Sequence, residues 1–179
     1  MTEDADRIGI VKMMGVTGDS WISNKDVYSI TDVFRKYFGM ADSNITMTAY
    51  SLTRSEDLFD ILEKTLERGI RITIIANSFH DIYLNMRTRL KKLARKFPTQ
   101  FAVKNFSDDA GDLHAKIVSI DFTTAKPMAI VGSANLTDRA LTRNHEIVVA
   151  LEGRAAETVG ELVNEISKEA TLVHLDAED

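Results

Sequence analysis

The chain is predicted to fold as an α/β protein, an αβα sandwich around one central mixed β-sheet. Three observations predict it. Apolar runs of strand length alternate with helix-period segments through the first half of the chain. Strand-length runs then cluster at 101–106, 113–121, 128–133 and 146–151, with no long helical segment between them. The run IRITIIA at 70–76 is β-branched almost throughout, which suits a strand covered on both faces.

Each element has its own signal. RIGIVKMMG at 7–15 reads as the first strand. Val27, Ile30, Val33, Phe34, Tyr37 and Phe38 recur at helical spacing and end at Gly39, a natural C-cap. NITMTAYSL at 44–52 reads as a strand. Thr53-Arg54-Ser55-Glu56 fits a capping box, with Ser55 as the alternative cap. The helix that follows buries Leu58, Phe59, Ile61, Leu62 and Leu66 and stops at Gly69. Strand 70–76 comes next, then a helix over 81–97 with Pro98 just beyond it. FAVKNF at 101–106 is a short strand, and the loop 107–112 leads into LHAKIVSID at 113–121. MAIVGS at 128–133 and EIVVAL at 146–151 are further strands, and an amphipathic helix over 154–168 closes the pattern.

A length of 179 residues suits one domain, taken as 1–179, with the acidic ends 1–6 and 169–179 expected to be flexible. The absence of cysteine excludes disulfides, thiolate metal sites and cysteine nucleophiles. MTEDAD at the start has no apolar run behind it, so a cytoplasmic protein without membrane association is expected. The net charge of −5 hides an asymmetry: residues 1–6 and 152–179 together hold −9, leaving +4 in between. Arg87, Arg89, Lys91, Lys92, Arg95, Lys96 and Lys104 follow one another with no acid between them. Of these, Arg87, Arg89, Lys92, Arg95 and Lys96 are the candidate nucleic-acid contacts, the alternative being a solvated helix face.

The chemistry concentrates in LHAKIVSID. Side chains in a strand alternate faces, so His114 and Lys116 share one face while Asp121 points the other way. Ser133 and Asn135 share a face if 132–135 is extended, and Asn144 and Glu146 open the next strand. Three adjacent strands thus offer a nucleophile or base, a fixed cation, two neutral hydrogen-bonding groups and a carboxylate. This set suits a phosphate centre. No glycine-rich phosphate loop is present, which leaves nucleotide hydrolysis without support. Nor does the sequence hold an HxH or HExxH pattern or a tight carboxylate cluster, so no metal or other cofactor is expected. His80, His145 and His174 read as surface or structural residues, and Trp21 with the loop 15–24 as a candidate rim.

HAKIVSID followed by GSANLT resembles the HxKxxxxD…GSxN signature of the phospholipase D superfamily. The likeness is close over about residues 113–146 and extends loosely upstream through LEKTLERGIRITIIAN. One departure is the ten residues between Asp121 and Gly132, where the family more often has six; an enlarged hairpin at TTAKP accommodates them. The resemblance implies a phospholipase D-like fold and transfer of a phosphoryl ester through a covalent phosphohistidine, without a metal. It implies His114 as nucleophile, Lys116 as the cation on the phosphate oxygens, and Ser133 and Asn135 as phosphate-binding groups. Asp121 is the third motif residue, in a supporting role, and Glu146 is expected to accept the Nδ1 proton of His114.

The family site needs two such motifs. The other histidines are followed by Asp-Ile, Glu-Ile and Leu-Asp, so none opens a second HxK. A homodimer with one shared site is therefore expected. Single-motif members of the family are largely dimeric nucleases, some serving restriction or antiviral defence beside a helicase-like partner. A nuclease acting on DNA or RNA is the first expectation. A phospholipid hydrolase or transferase and a catalytically silent dimerising module are the alternatives.

Overall fold

The β-branched run becomes β4 (Arg71–Asn77), a strand deep in the sheet, with Ile72, Ile74 and Ile75 fully buried. Ile74 joins the larger apolar cluster, whereas Ile75 joins a smaller one with Leu113, Ile117 and Val163. Neighbours in one strand thus feed cores on opposite faces, which is why the stretch lacks polar alternation.

The computed structural model describes residues 10–17 and 27–175. Ahead of β4 lie β1 (Ile10–Thr17), β2 (Val27–Ser29), α1 (Ile30–Met40), β3 (Asn44–Ala49) and α2 (Glu56–Glu67). After it come α3 (Leu84–Lys96), β5 (Phe101–Phe106), β6 (Ile117–Ile120), β7 (Met128–Gly132), α4 (Asp138–Thr142), β8 (Glu146–Glu152), α5 (Arg154–Glu169) and β9 (Thr171–Leu172). The strands form one sheet in the order β2-β1-β8-β7-β6-β3-β4-β5-β9. β3, β4 and β5 are parallel, while the ladder from β3 through β6, β7 and β8 to β1 is antiparallel. The larger cluster gathers side chains of α1, α2, α3 and α4 and the smaller one those of α5, so helices cover both faces of a mixed sheet, as predicted. No helix among the described residues is long and apolar enough to cross a membrane.

Several boundaries differ from the sequence reading. The helix expected from Val27 begins at Ile30, because Val27–Ser29 pair with β1 and the Ser29 hydroxyl accepts the Asp32 amide at 3.1 Å as N-cap. It runs through Gly39 and is capped at Ala41, so Gly39 is not its terminator. Ser55, not Thr53, caps α2, and Gly69 at φ +85° follows its end in the left-handed region that glycine tolerates best. A 3-10 turn, Phe79–Asp81, precedes α3, which starts three residues later than expected. The acidic C-terminal stretch is docked as far as Leu175: Thr171 and Leu172 pair with β5, and Leu175 is buried. Residues 1–6, most of the candidate rim 15–24 with Trp21, and 176–179 lie outside the described residues.

The enlarged β6–β7 connection leaves the strand pairing intact, with Ile117 opposite Val131 and Ile120 opposite Met128. β7 and β8 approach so closely at Gly132 that a Cβ there would sit 2.2 Å from the Ile147 carbonyl oxygen and 2.7 Å from the Val148 Cα. Backbone cannot yield as a side-chain tip does. Gly132→Ala is therefore expected to destabilise the fold by about 1–3 kcal/mol, the usual cost of overpacking. A denaturant midpoint equal to that of the parent chain would contradict this.

Candidate active site

The strand directions bring one set of ends together. The carboxyl ends of β3, β4, β5 and β7 and the amino ends of β6 and β8 share one edge of the sheet. His114 and Lys116 lie just before β6, Ser133 and Asn135 just after β7, and Glu146 begins β8. The order β8-β7-β6 makes these segments neighbours, so the sequence-predicted constellation is assembled on one edge.

The stretch 113–116 is not regular strand, yet its functional side chains meet. Lys116 Nζ lies 2.9 Å from His114 Nδ1 and donates to the His114 carbonyl oxygen at 2.6 Å. Thr48 sets this geometry from β3. Its hydroxyl donates to the Ala115 carbonyl oxygen at 2.8 Å and accepts the Ile117 amide at 3.0 Å, pinning the chain on either side of Lys116. Asn77 pins the approach, its side-chain oxygen accepting the Leu113 amide at 2.8 Å. The Tyr50 ring lies 4.3 Å from the His114 ring, centroid to centroid, and 5.2 Å from Lys116 Nζ. Sequence reading missed Thr48, Asn77 and Tyr50. Thr48 carried no signal of its own, since β3 alternates polar Asn44, Thr46 and Thr48 with apolar Ile45, Met47 and Ala49.

Ser133 and Glu146 form a second cluster. The Ser133 hydroxyl donates to a Glu146 carboxylate oxygen and accepts the Ile147 amide at 3.2 Å, and Asn144 donates to the other Glu146 oxygen at 3.2 Å. Glu146 does not reach His114 Nδ1 of the same chain, contrary to expectation, because that nitrogen faces Lys116. Burial pushes the Lys116 ammonium below its ordinary range, and the Glu146 carboxylate pulls it partly back up. The Asn135 amide oxygen is buried without a hydrogen-bond partner.

Asp121 stands apart from this edge. Its buried carboxylate accepts the amides of Asp42, Ser43 and Asn44 at 2.7, 2.8 and 2.8 Å, tying the β6–β7 turn to the start of β3. It supports the sheet at the opposite end from His114 and takes no part in the His114–Lys116 or Ser133–Glu146 contacts. Its φ of +53° fits an aspartate in a tight turn.

The basic helix is partly neutralised within the fold. The Arg89 guanidinium forks onto both Glu56 oxygens at 2.7 and 2.6 Å and lies over the Phe59 ring. Arg89 and Arg54 hold the Glu56 carboxyl down at about 2. Lys96 pairs with Glu63 at 2.6 Å and Glu67 at 3.0 Å. Two of the five candidate phosphate contacts thus already face carboxylates of α2. Lys92 is exposed, while Arg87 and Arg95 have partners of their own. His80, His145 and His174 are exposed and lie outside the His114–Lys116 contacts.

Residues 34–170 match a family model described as "Cardiolipin synthase, PLD-like domain". Cardiolipin synthase A of Buchnera aphidicola subsp. Schizaphis graminum is 29% identical over 117 residues, 64% of this chain and 22% of that protein. The Proteus mirabilis enzyme of that name is 30% identical over 115 residues, 63% of this chain and again 22% of its own length. The chain thus spans about a fifth of the curated relatives it matches. Among solved structures, the phospholipase D family member Nuc from Salmonella typhimurium superposes with a TM-score of 0.72 at 19% identity, covering 90% of this chain and 96% of Nuc. Phosphatidylserine synthase from Haemophilus influenzae Rd KW20 gives 0.68 at 17% identity, covering 93% of this chain and 41% of that one. NucT from Helicobacter pylori gives 0.61 at 16% identity, covering 79% of this chain and 89% of NucT.

Proposed function

The chain belongs to the phospholipase D superfamily, and on that premise we propose that it is a phosphodiesterase that cleaves nucleic acid through a covalent phosphohistidine. One observation carries the proposal: a single His114–Lys116 pair stands on an open, polar sheet edge, with no second HxK anywhere in the sequence. The second histidine then comes from another copy of the chain, and the site is shared across a homodimer. Exposed Ile147, beside Ser133, supplies apolar surface for that contact.

The chemistry follows from the groups present. An ammonium beside Nδ1 makes that nitrogen an acceptor, and a neutral imidazole then carries its proton on Nε2. In this arrangement Nε2 has no free pair to attack with. A phosphodiester bound at the edge draws Lys116 onto its oxygens; the ring then gives its Nε2 proton to water and takes one from water at Nδ1, where a carboxylate accepts the hydrogen bond, and Nε2 is left with a free pair. Nε2 attacks phosphorus, the bond to the leaving oxygen breaks, and the partner copy's histidine protonates that oxygen. Water then attacks phosphorus, gives its proton back to that histidine and releases His114. Ser133 and Asn135 hold the remaining oxygens.

The names of the curated relatives favour phospholipid chemistry as a second reading. The cleft beside His114 favours nucleic acid, since hydroxyl and carboxylate side chains rather than an apolar groove line it. One assay separates the readings: single- and double-stranded DNA and RNA, and vesicles of phosphatidylcholine and phosphatidylglycerol, each with EDTA present. Cleavage of nucleic acid in EDTA is expected. Activity lost in EDTA and restored by Mg²⁺ would overturn the mechanism. Turnover of vesicles alone would move the chain to the lipid branch, and turnover of neither would leave a silent module.

Glu146 gives a pH test. The ammonium form of Lys116 binds phosphate, so activity is lost as pH rises through its lowered pKa. Glu146→Gln removes the upward pull of the carboxylate. The alkaline limb of kcat/KM is expected to move to lower pH in that variant. A limb that stays in place would mean that another group sets it.

A further inference from the structure

Across the Tyr50 ring from His114 lies a cleft that the phosphoryl chemistry does not use. It lies beyond the carboxyl ends of β3 and β4, has a volume of about 340 Å³, and is lined by Tyr50, Ser51, Asn77, Asp81, Tyr83 and Asp112 among others. Crevices at this end of parallel strands are common ligand sites, and the volume is within the usual range. Tyr50 belongs to both places, packing on the His114 ring and forming a wall of the cleft. A substituent on a phosphorus held at His114 therefore has the cleft beside it.

The lining selects what enters. Among the described residues no lysine or arginine contributes, while Asp81 and Asp112 do, so a second phosphate is opposed by charge. An acyl chain would strand the hydroxyls and carboxylates without partners. Asp112 is fixed in place: one of its oxygens accepts Asn77 Nδ2 at 3.0 Å, and Asn77 in turn holds the Leu113 amide. Tyr83 stands at the wall with 74% of its surface exposed, an uncovered ring awaiting a flat partner. A flat, neutral group with N–H donors on one edge satisfies both the rings and the carboxylates.

We infer that this cleft is a nucleobase subsite, a step that rests on the nuclease reading above. The base beside the scissile phosphate leaves its stack, lies against Tyr50 and Tyr83, and turns its amino edge to Asp112 and Asp81. Two consequences follow for specificity. Single strands are cut in preference to duplexes, whose bases are not free to enter. Cytosine, which offers its exocyclic amino group to a carboxylate, is preferred to thymine, which has none.

The test uses short single-stranded DNA oligonucleotides that differ at one internal position: cytosine, thymine or an abasic residue. Cleavage is read at each phosphate by gel. For the parent protein, cleavage beside cytosine is expected to exceed that beside the abasic residue by about tenfold, the scale of one base–aromatic stack. Tyr83→Ala should bring that ratio toward one, and Asp112→Asn should erase the preference for cytosine over thymine. Each readout is a ratio within one protein sample, so a smaller folded fraction does not mimic the effect. Equal cleavage beside all three residues by the parent protein overturns the subsite and leaves the nuclease reading standing. Parent-like ratios in both variants also overturn it. Failure to cut these oligonucleotides and their RNA counterparts overturns the nuclease reading and the subsite together. Turnover of phosphatidylcholine vesicles in that case reassigns the cleft to a cationic headgroup held by the same carboxylates and rings.

Discussion

His114→Asn is expected to abolish turnover while leaving the fold intact. In a shared site the side chain acts twice, as nucleophile in one copy and as general acid in the other. Losing both roles should lower kcat by more than about 10⁴-fold, the upper end of general acid–base help alone. The fold should not register the change. His114 is exposed, and its side-chain contacts are Lys116 and the Tyr50 ring. Surface substitutions of this kind usually stay within about 0.5 kcal/mol. An unchanged thermal midpoint with no product is the predicted pair of results. A variant that folds and still turns over at a measurable fraction of the parent rate would remove His114 from the mechanism.

Lys116→Met is expected to be the next most damaging change. Methionine matches the lysine stem as far as Cε and removes the ammonium, so a loss of rate reports the cation and its donors rather than a cavity. The ammonium sits 2.9 Å from His114 Nδ1 at an edge where a phosphate gathers negative charge in the transition state. Removing one fixed donor from such a site costs about 10²–10³-fold in kcat. Stability should hold or rise, because burial already disfavours the charged form of Lys116. Activity near that of the parent would mean that another group neutralises the phosphate.

Much of this arrangement was legible in the sequence because it depends on short-range periodicity. The motif spacing put His114 and Lys116 at one place, though they meet just ahead of β6 rather than within a regular strand, and β5 starts and stops where FAVKNF does. Adjacent strands then bring Ser133, Asn135 and Glu146 to the same edge. What remained hidden depends on packing between distant segments. Arg89 finds Glu56 and Lys96 finds Glu63 across the α2–α3 contact, each 33 residues away, so a helix that reads as free positive charge is partly neutralised. Thr48 and Tyr50 reach the His114–Lys116 stretch only because β3 lies next to β6. The partner of Glu146 was misread for the same reason. The β7–β8 pairing sets its carboxylate against Ser133, while His114 Nδ1 faces Lys116. β9 escaped notice because Thr171 and Leu172 carry no strand pattern of their own, and only the β5 edge makes them a strand.

The central claim is that one site is built by two copies, and subunit mixing tests it most directly. The parent protein and His114→Asn are mixed in equal amounts, allowed to exchange to random pairing, and assayed against the parent alone at the same total chain concentration. If each site needs both histidines, mixed dimers are inactive and about half of the parent chains are lost to them. Per total dimer, activity then falls to about a quarter of the all-parent value. Activity near one half of the all-parent value would contradict the account, because each chain would then carry a complete site of its own.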